Sequence, residues 1–125
     1  MYSISEAAKL LEISSHTLRY YEKEQIILPE RNDHGEREYG DSHIAWLRFV
    51  IKLKQTQMPL TKIREYSRLY QEGEHTQESR LRLLEEHRNS VREQISTLQE
   101  TEKMLDHKIG SYKELIQSEH LKTST

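Results

Sequence analysis

The sequence predicts a mainly α protein: a head of short helices that carries a small two-stranded wing, followed by one long helix that pairs as a coiled coil. Three observations predict it. Capping residues and apolar spacing mark short helices through residues 1–72, interrupted by the turn-rich string Asn32-Asp33-His34-Gly35. From about Thr76 to Glu119 there is no proline and one late glycine, Gly110. Over that same span apolar residues recur at every seventh position, the repeat of a coiled-coil seam.

The bulk composition agrees with an elongated or dimeric chain. Only 34% of the 125 residues are hydrophobic and 32% are charged, with a mean hydropathy of -0.93, which is thin for a single globule. No apolar run approaches the roughly 20 residues of a membrane span, and the N-terminus lacks a signal-peptide pattern, so a soluble cytoplasmic protein is expected. With no cysteine there is no disulfide, thiolate metal site, iron–sulfur cluster or thiol sensor, and no cofactor is expected. The seven histidines are scattered, four of them (His75, His87, His107 and His120) along the tail, and do not form a metal motif. The net charge of -2 conceals a division: residues 1–71 hold 11 basic and 10 acidic residues, net +1, and residues 72–125 hold 8 and 11, net -3. Phosphate binding depends on local patches, not on the whole-chain balance.

Each element follows in order. Ser3 and Glu6 stand in capping-box spacing ahead of a helix over about 4–11, with Ile4, Ala7, Ala8 and Leu11 on its apolar side. Glu12-Ile13-Ser14 makes a tight turn, and Ser14 caps a second helix reaching about Lys23. Two short helices joined in this way over about 4–23 form a helix-turn-helix. On the second helix His16, Arg19, Tyr20 and Lys23 fall at i, i+3, i+4 and i+7 and share one face, while Leu18 and Tyr21 point toward a core. A helix with an apolar back and a front of His, Arg, Tyr and Lys is shaped to read nucleic acid. Pro29 ends the helical region, and the flanks of the turn pair as a hairpin wing over about 29–40, with Arg31 and Arg37 exposed to lie along a phosphate backbone.

Asp41 or Ser42 caps a third helix to about Gln57, with Ile44, Leu47, Val50 and Ile51 inward; Met58-Pro59-Leu60 breaks it, and a fourth runs from about Thr61 to Gln71. Residues 42–68 carry six basic residues against the single acid Glu65, so Lys52, Lys54, Lys62 and Arg64 flank the break as a second phosphate-binding edge. A solvated helix face explains the same charges nearly as well. Together these elements make a DNA-binding domain over 1–72.

The dimerisation helix spans 76–119, with a flexible tail over 120–125. Leu84, Val91, Leu98, Leu105 and Tyr112 recur every seven residues, and Leu81, Ile95, Ile109 and Ile116 fill the companion position, where Arg88 and Glu102 interrupt. About five heptads give a coiled coil roughly 60 Å long, whose seam requires a partner helix. In a parallel homodimer Arg88 would face Arg88, Glu102 would face Glu102, and Lys108 would neighbour Lys113. An antiparallel pairing removes all three like-charge contacts. A centre near residues 95–98 packs Ile95 on Leu98 and Leu84 on Ile109 of the other chain.

This order of parts resembles the MerR family of bacterial transcriptional regulators. The resemblance is carried by Thr17-Leu18-Arg19-Tyr20-Tyr21-Glu22, the wing string Gly35-x-Arg37-x-Tyr39, the helix pair broken at Met58-Pro59-Leu60 and the long terminal helix, and it covers the whole chain. Residues 53–109 look like the aldehyde- and stress-responsive branch. The resemblance implies a homodimer joined by an antiparallel coiled coil, each half placing its second helix in a major groove of a palindromic promoter. It further implies RNA polymerase as a partner: family members bend and untwist double-stranded promoter DNA whose spacer is overlong, realigning the polymerase recognition elements. Arg19 and Tyr20 match recognition-helix positions that contact DNA, Arg37 matches the wing arginine, and Tyr39 the aromatic at the wing's base, which is counted with the DNA-contacting residues. Two departures stand out. Glu36 occupies a position where the family often has an aromatic. Cysteine, used by metal-, redox- and aldehyde-sensing members, is missing, and Val50-Ile51-Lys52-Leu53-Lys54 fills the stretch where the aldehyde branch carries its thiol.

The reading that follows is a sequence-specific DNA-binding transcriptional regulator. The alternative is a coiled-coil architectural or protein-interaction module without effector response. An enzyme is disfavoured, since no paired carboxylates, nucleophile–base set or glycine-rich phosphate loop is present.

Overall fold

The order of elements is helix, helix, two-stranded hairpin, and then three further helices. The structure is a computed structural model describing residues 1–123, and the chain divides into two units, the first covering Met1–Glu85 and the second starting at Glu86. Helix α1 (Ile4–Leu11) begins at a complete capping box. The Ser3 hydroxyl accepts the Glu6 N–H at 3.1 Å, and the Glu6 carboxylate accepts the Ser3 N–H at 2.9 Å. The bond from the Ser3 backbone, with a second from its side chain, holds the Glu6 carboxyl below its ordinary pKa. The helix stops at Glu12, which is left-handed at φ 56°, and the chain turns into α2 (Ser15–Lys23), where the Ser14 hydroxyl accepts the Thr17 N–H at 3.0 Å.

The wing is a ladder of two residues per strand, β1 (Glu30–Arg31) antiparallel to β2 (Arg37–Glu38), with Arg31 opposite Arg37. Its turn is organised by Asn32, whose Oδ1 accepts the N–H groups of His34 at 2.9 Å and Glu36 at 3.0 Å. Gly35 completes it at φ +76°, a conformation that side chains disfavour. One pairing has no signature in the sequence. Tyr2 and Tyr39 exchange backbone hydrogen bonds at 2.7 and 2.8 Å, sewing the chain start to the exit of the wing.

Helix α3 (Asp41–Gln55) departs from its predicted start. The cap residue is Gly40, whose N–H donates to His43 Nδ1 at 2.9 Å, so Asp41 and Ser42 lie inside the helix and not at its cap. Pro59 caps α4 (Leu60–Glu72), a position that needs no N–H. Gly73, at φ 122°, leads into a 3₁₀ turn (Glu74–Thr76) that the sequence reading lacked. There the buried Thr76 hydroxyl sits 2.7 Å from the Leu69 carbonyl. Packed between α1, α2, α3 and α4 is a core that includes Ala7, Leu11, Leu18, Tyr21, Ile26, Leu47, Val50, Leu53, Met58 and Ile63. Each large aliphatic side chain there contributes about 1.5–3 kcal/mol by leaving water. Helix α5 (Gln77–Thr123) continues without interruption, so residues 120–123 are helical where a tail was expected, and residues 124–125 lie outside the described residues. Among the described residues no helix is long and apolar enough to cross a membrane.

Candidate nucleic-acid interface

Helix α2 sorts its side chains as the 3.6-residue period dictates. Leu18 and Tyr21 are buried, while His16, Arg19, Tyr20 and Lys23 are exposed together on the opposite face. Tyr20 leans on Tyr21, with ring centroids 6.2 Å apart, so one tyrosine anchors the other at the surface. All four candidate reading residues are therefore gathered on the outward side of one short, capped helix.

The wing arginines are less free than the hairpin pattern predicts. Both bond the carboxylate of Glu22 on α2: Arg31 through a terminal nitrogen at 2.8 Å, and Arg37 through Nε. The other terminal nitrogen of Arg31 donates to the Gly35 carbonyl at 3.1 Å. Glu22 thus fastens the wing to the reading helix. Sequence reasoning missed this role, because an acid among basic residues carries no spacing signal for a partner 9 and 15 residues away. Glu36 is exposed at the wing turn, near its Asn32 partner.

Tyr39 is corrected. It is expected among the DNA-contacting residues, but its side chain is fully buried at the base of the wing, where it cannot meet a ligand at the surface. Burial raises its pKa, and the nearby Glu22 carboxylate raises it further. The basic edge is also thinner than predicted. Lys52 and Lys54 are exposed at the end of α3, and Lys62 stands 3.9 Å from Glu65, but the Arg64 guanidinium is engaged by Glu24. Arg64 therefore ties α4 to the end of α2 and is not a free phosphate contact.

A second feature absent from the sequence reading is an aromatic cleft of about 740 Å³ between α3, α4 and the segment after α2. Trp46 lies parallel to Tyr66 and Tyr70, at 5.7 and 6.5 Å, and its indole N–H donates to the Ile26 carbonyl at 2.8 Å. Arg80, at the start of α5, sits over the Tyr70 ring at 5.3 Å. The Trp46/Phe49 and Tyr66/Tyr70 spacings were its only trace in the sequence. Among the described residues, no three His, Cys, Asp or Glu side chains are grouped to hold a metal ion.

Along α5 the heptad residues lie as a stripe open to solvent. Leu84 and Val91 are half-buried, and Ile95, Leu98, Leu105, Ile109 and Tyr112 are exposed, Leu98 at 68%. Apolar side chains also stand outside the stripe: Met104, Leu115 and Leu121 are exposed, and Leu83, one residue off the seam, is buried.

Comparison with known proteins decides the family. The model of the MerR HTH family regulatory proteins matches residues 2–69, and that of the MerR DNA-binding region matches residues 44–108. The chain belongs to the MerR family. Among its MerR relatives, an uncharacterised HTH-type transcriptional regulator of Haemophilus influenzae is 34% identical, over 89% of this chain and 83% of its own length. The regulator ZntR of Escherichia coli is 35% identical, over 84% and 76%. Solved MerR structures superpose on the fold. One from Listeria monocytogenes does so at a TM-score of 0.86 with 33% identity, covering 90% of this chain and 86% of its own. Another is HiNmlR, described as a MerR regulator that lacks the sensor domain and is bound to promoter DNA. It superposes at 0.84 with 32% identity, covering 90% of each chain. The fold is thus the MerR winged helix-turn-helix followed by a helical dimerisation region, and the protein is a DNA-binding transcriptional regulator.

Proposed function

We propose that the protein acts in the cytoplasm as a homodimer on a palindromic promoter, without enzymatic activity, and controls initiation by bending and untwisting an overlong spacer so that RNA polymerase can engage. The observation that carries this reading is the exposed His16-Arg19-Tyr20-Lys23 face of α2, with a wing fastened beside it by Glu22. That pairing offers a helix for the major groove and a cation for the flanking backbone. The exposed apolar stripe of α5 supports the dimer, because a solvated seam of this length is stable only when covered. Two such heads placed by one seam fit two half-sites. Lys54 and Lys62 supply outer phosphate contacts in this reading. The solved promoter complex of HiNmlR supports the DNA partner.

The test is binding to a duplex taken from upstream of the gene, with donor and acceptor dyes at its ends. Arg19→Ala should weaken binding by about tenfold or more, the cost of one lost base-reading arginine. Energy transfer should rise on binding if the duplex is bent. Wild-type affinity left unchanged by Arg19→Ala would overturn the assignment of the reading face, and unchanged energy transfer would overturn the bending.

A further inference from the structure

We propose that Glu22 gives the two wing arginines different tasks, making Arg31 a strut that braces the wing turn and leaving Arg37 as the arm that meets the phosphate backbone. The proposal rests on the DNA-binding reading above and names the residue that positions its wing. The two arginines stand directly opposite each other in the β1–β2 ladder, where like charges repel. One carboxylate between them, on α2, offsets that repulsion with an oxygen for each: Oε1 for Arg31 and Oε2 for Arg37.

The two are held differently. Arg31, whose side chain is 46% exposed, has both terminal nitrogens engaged, one by Glu22 at 2.8 Å and the other by the Gly35 carbonyl at 3.1 Å, so it braces the turn of its own wing. A guanidinium grips phosphate through paired N–H groups, and in Arg31 one N–H of each terminal nitrogen is already committed to the protein. Arg37 meets Glu22 through Nε alone. Its terminal nitrogens have no protein partner among the described residues. They are not buried either, because the buried unpartnered side-chain atoms are Tyr39 Oη and Arg64 Nε. Arg37, 24% exposed, therefore keeps its terminal N–H groups uncommitted while its Nε is anchored. An anchored arginine surrenders less rotamer freedom on meeting phosphate than a loose one. Beneath it the buried Tyr39 ring backs the same group of charges.

The experiment measures affinity for a mixed-sequence 30-base-pair duplex across roughly 50–200 mM salt, where the slope counts neutralised phosphates. Arg37→Ala should weaken binding and reduce the log–log slope by about 0.9 for each wing engaged. Arg31→Ala should weaken binding with the slope unchanged. Glu22→Gln should also weaken binding several-fold, although it removes a negative charge, and Arg37→Ala should then cost much less than it does in the wild type. In DNA-free protein, the Arg37 Nε–H NMR signal should be protected from exchange, and this protection should be lost in Glu22→Gln. Equal loss of slope in the two arginine variants would overturn the proposal, as would Glu22→Gln binding as tightly as wild type or more tightly. An unprotected Arg37 signal in the wild type would overturn the positioning contact itself. A protected signal in a wild-type protein that binds no duplex would instead overturn the DNA-binding reading and leave the Glu22 contact standing.

Discussion

Tyr39 hides a polar atom where a surface contact was expected. Its hydroxyl is buried without a partner among the described residues, which leaves a desolvation cost of about 1–3 kcal/mol uncompensated. Tyr39→Phe should therefore raise stability by about 1 kcal/mol, read as a higher melting temperature at neutral pH. The pH dependence has a definite sign. Burial, and then Glu22, raise the folded pKa of Tyr39 above the ordinary 10.0, so the unfolded chain ionises first. Stability is full below that value and is lost as pH rises from there through the folded pKa. The advantage of Tyr39→Phe should widen between neutral pH and about pH 11; a constant gap would show that Tyr39 does not titrate differently in the two states. The wing string ending in Tyr39 was legible in the sequence, but the direction of its ring was not. A tyrosine just after a two-residue strand has no flanking period to say which side faces the core, and its pairing with Tyr2 joins residues far apart in the chain.

The elements of the head were legible wherever their signals are local. Caps and apolar spacing act within one or two turns, so α1 and α2 appear where Ser3 and Ser14 predict them. Ser14→Ala should cost about 1 kcal/mol by orphaning the Thr17 N–H, measured by chemical denaturation. In the wing, a Cβ on Gly35 would meet no atom within 4 Å, so Gly35→Ala should cost only the left-handed conformation, about 1–2 kcal/mol. The same substitution should leave the near-ultraviolet circular dichroism of the core aromatics unchanged; a loss of that signal would mean the wing turn supports more than itself. The third helix shows where local reading fails. Asp41 and Ser42 are better capping residues than glycine, but the Gly40 N–H is satisfied by His43, and the side chain that closes a cap depends on how the preceding strand delivers the backbone.

For the whole molecule, the exposed seam of α5 carries the prediction about assembly. The chain has no cysteine, so single cysteines report without background. With Leu84→Cys and Ile109→Cys in separate chains, mixed and oxidised, an antiparallel dimer centred near residues 95–98 should give 84-to-109 crosslinks. Efficient 84-to-84 crosslinking would show a parallel pair. Leu98→Glu, at the proposed centre, should shift sedimentation toward the monomer by placing like charges in the seam. By itself the sequence determined the head of short helices, the exposed His16-Arg19-Tyr20-Lys23 face of α2, the presence of a wing and the heptad seam, because each is written in residues a few positions apart. The tertiary structure alone decided that Glu22 holds both wing arginines, that Glu24 takes Arg64, that Tyr39 is buried and that Trp46 meets Tyr66 and Tyr70 across a cleft. Those outcomes depend on which distant residues folding brings within bonding distance, and short-range periodicity carries no record of that.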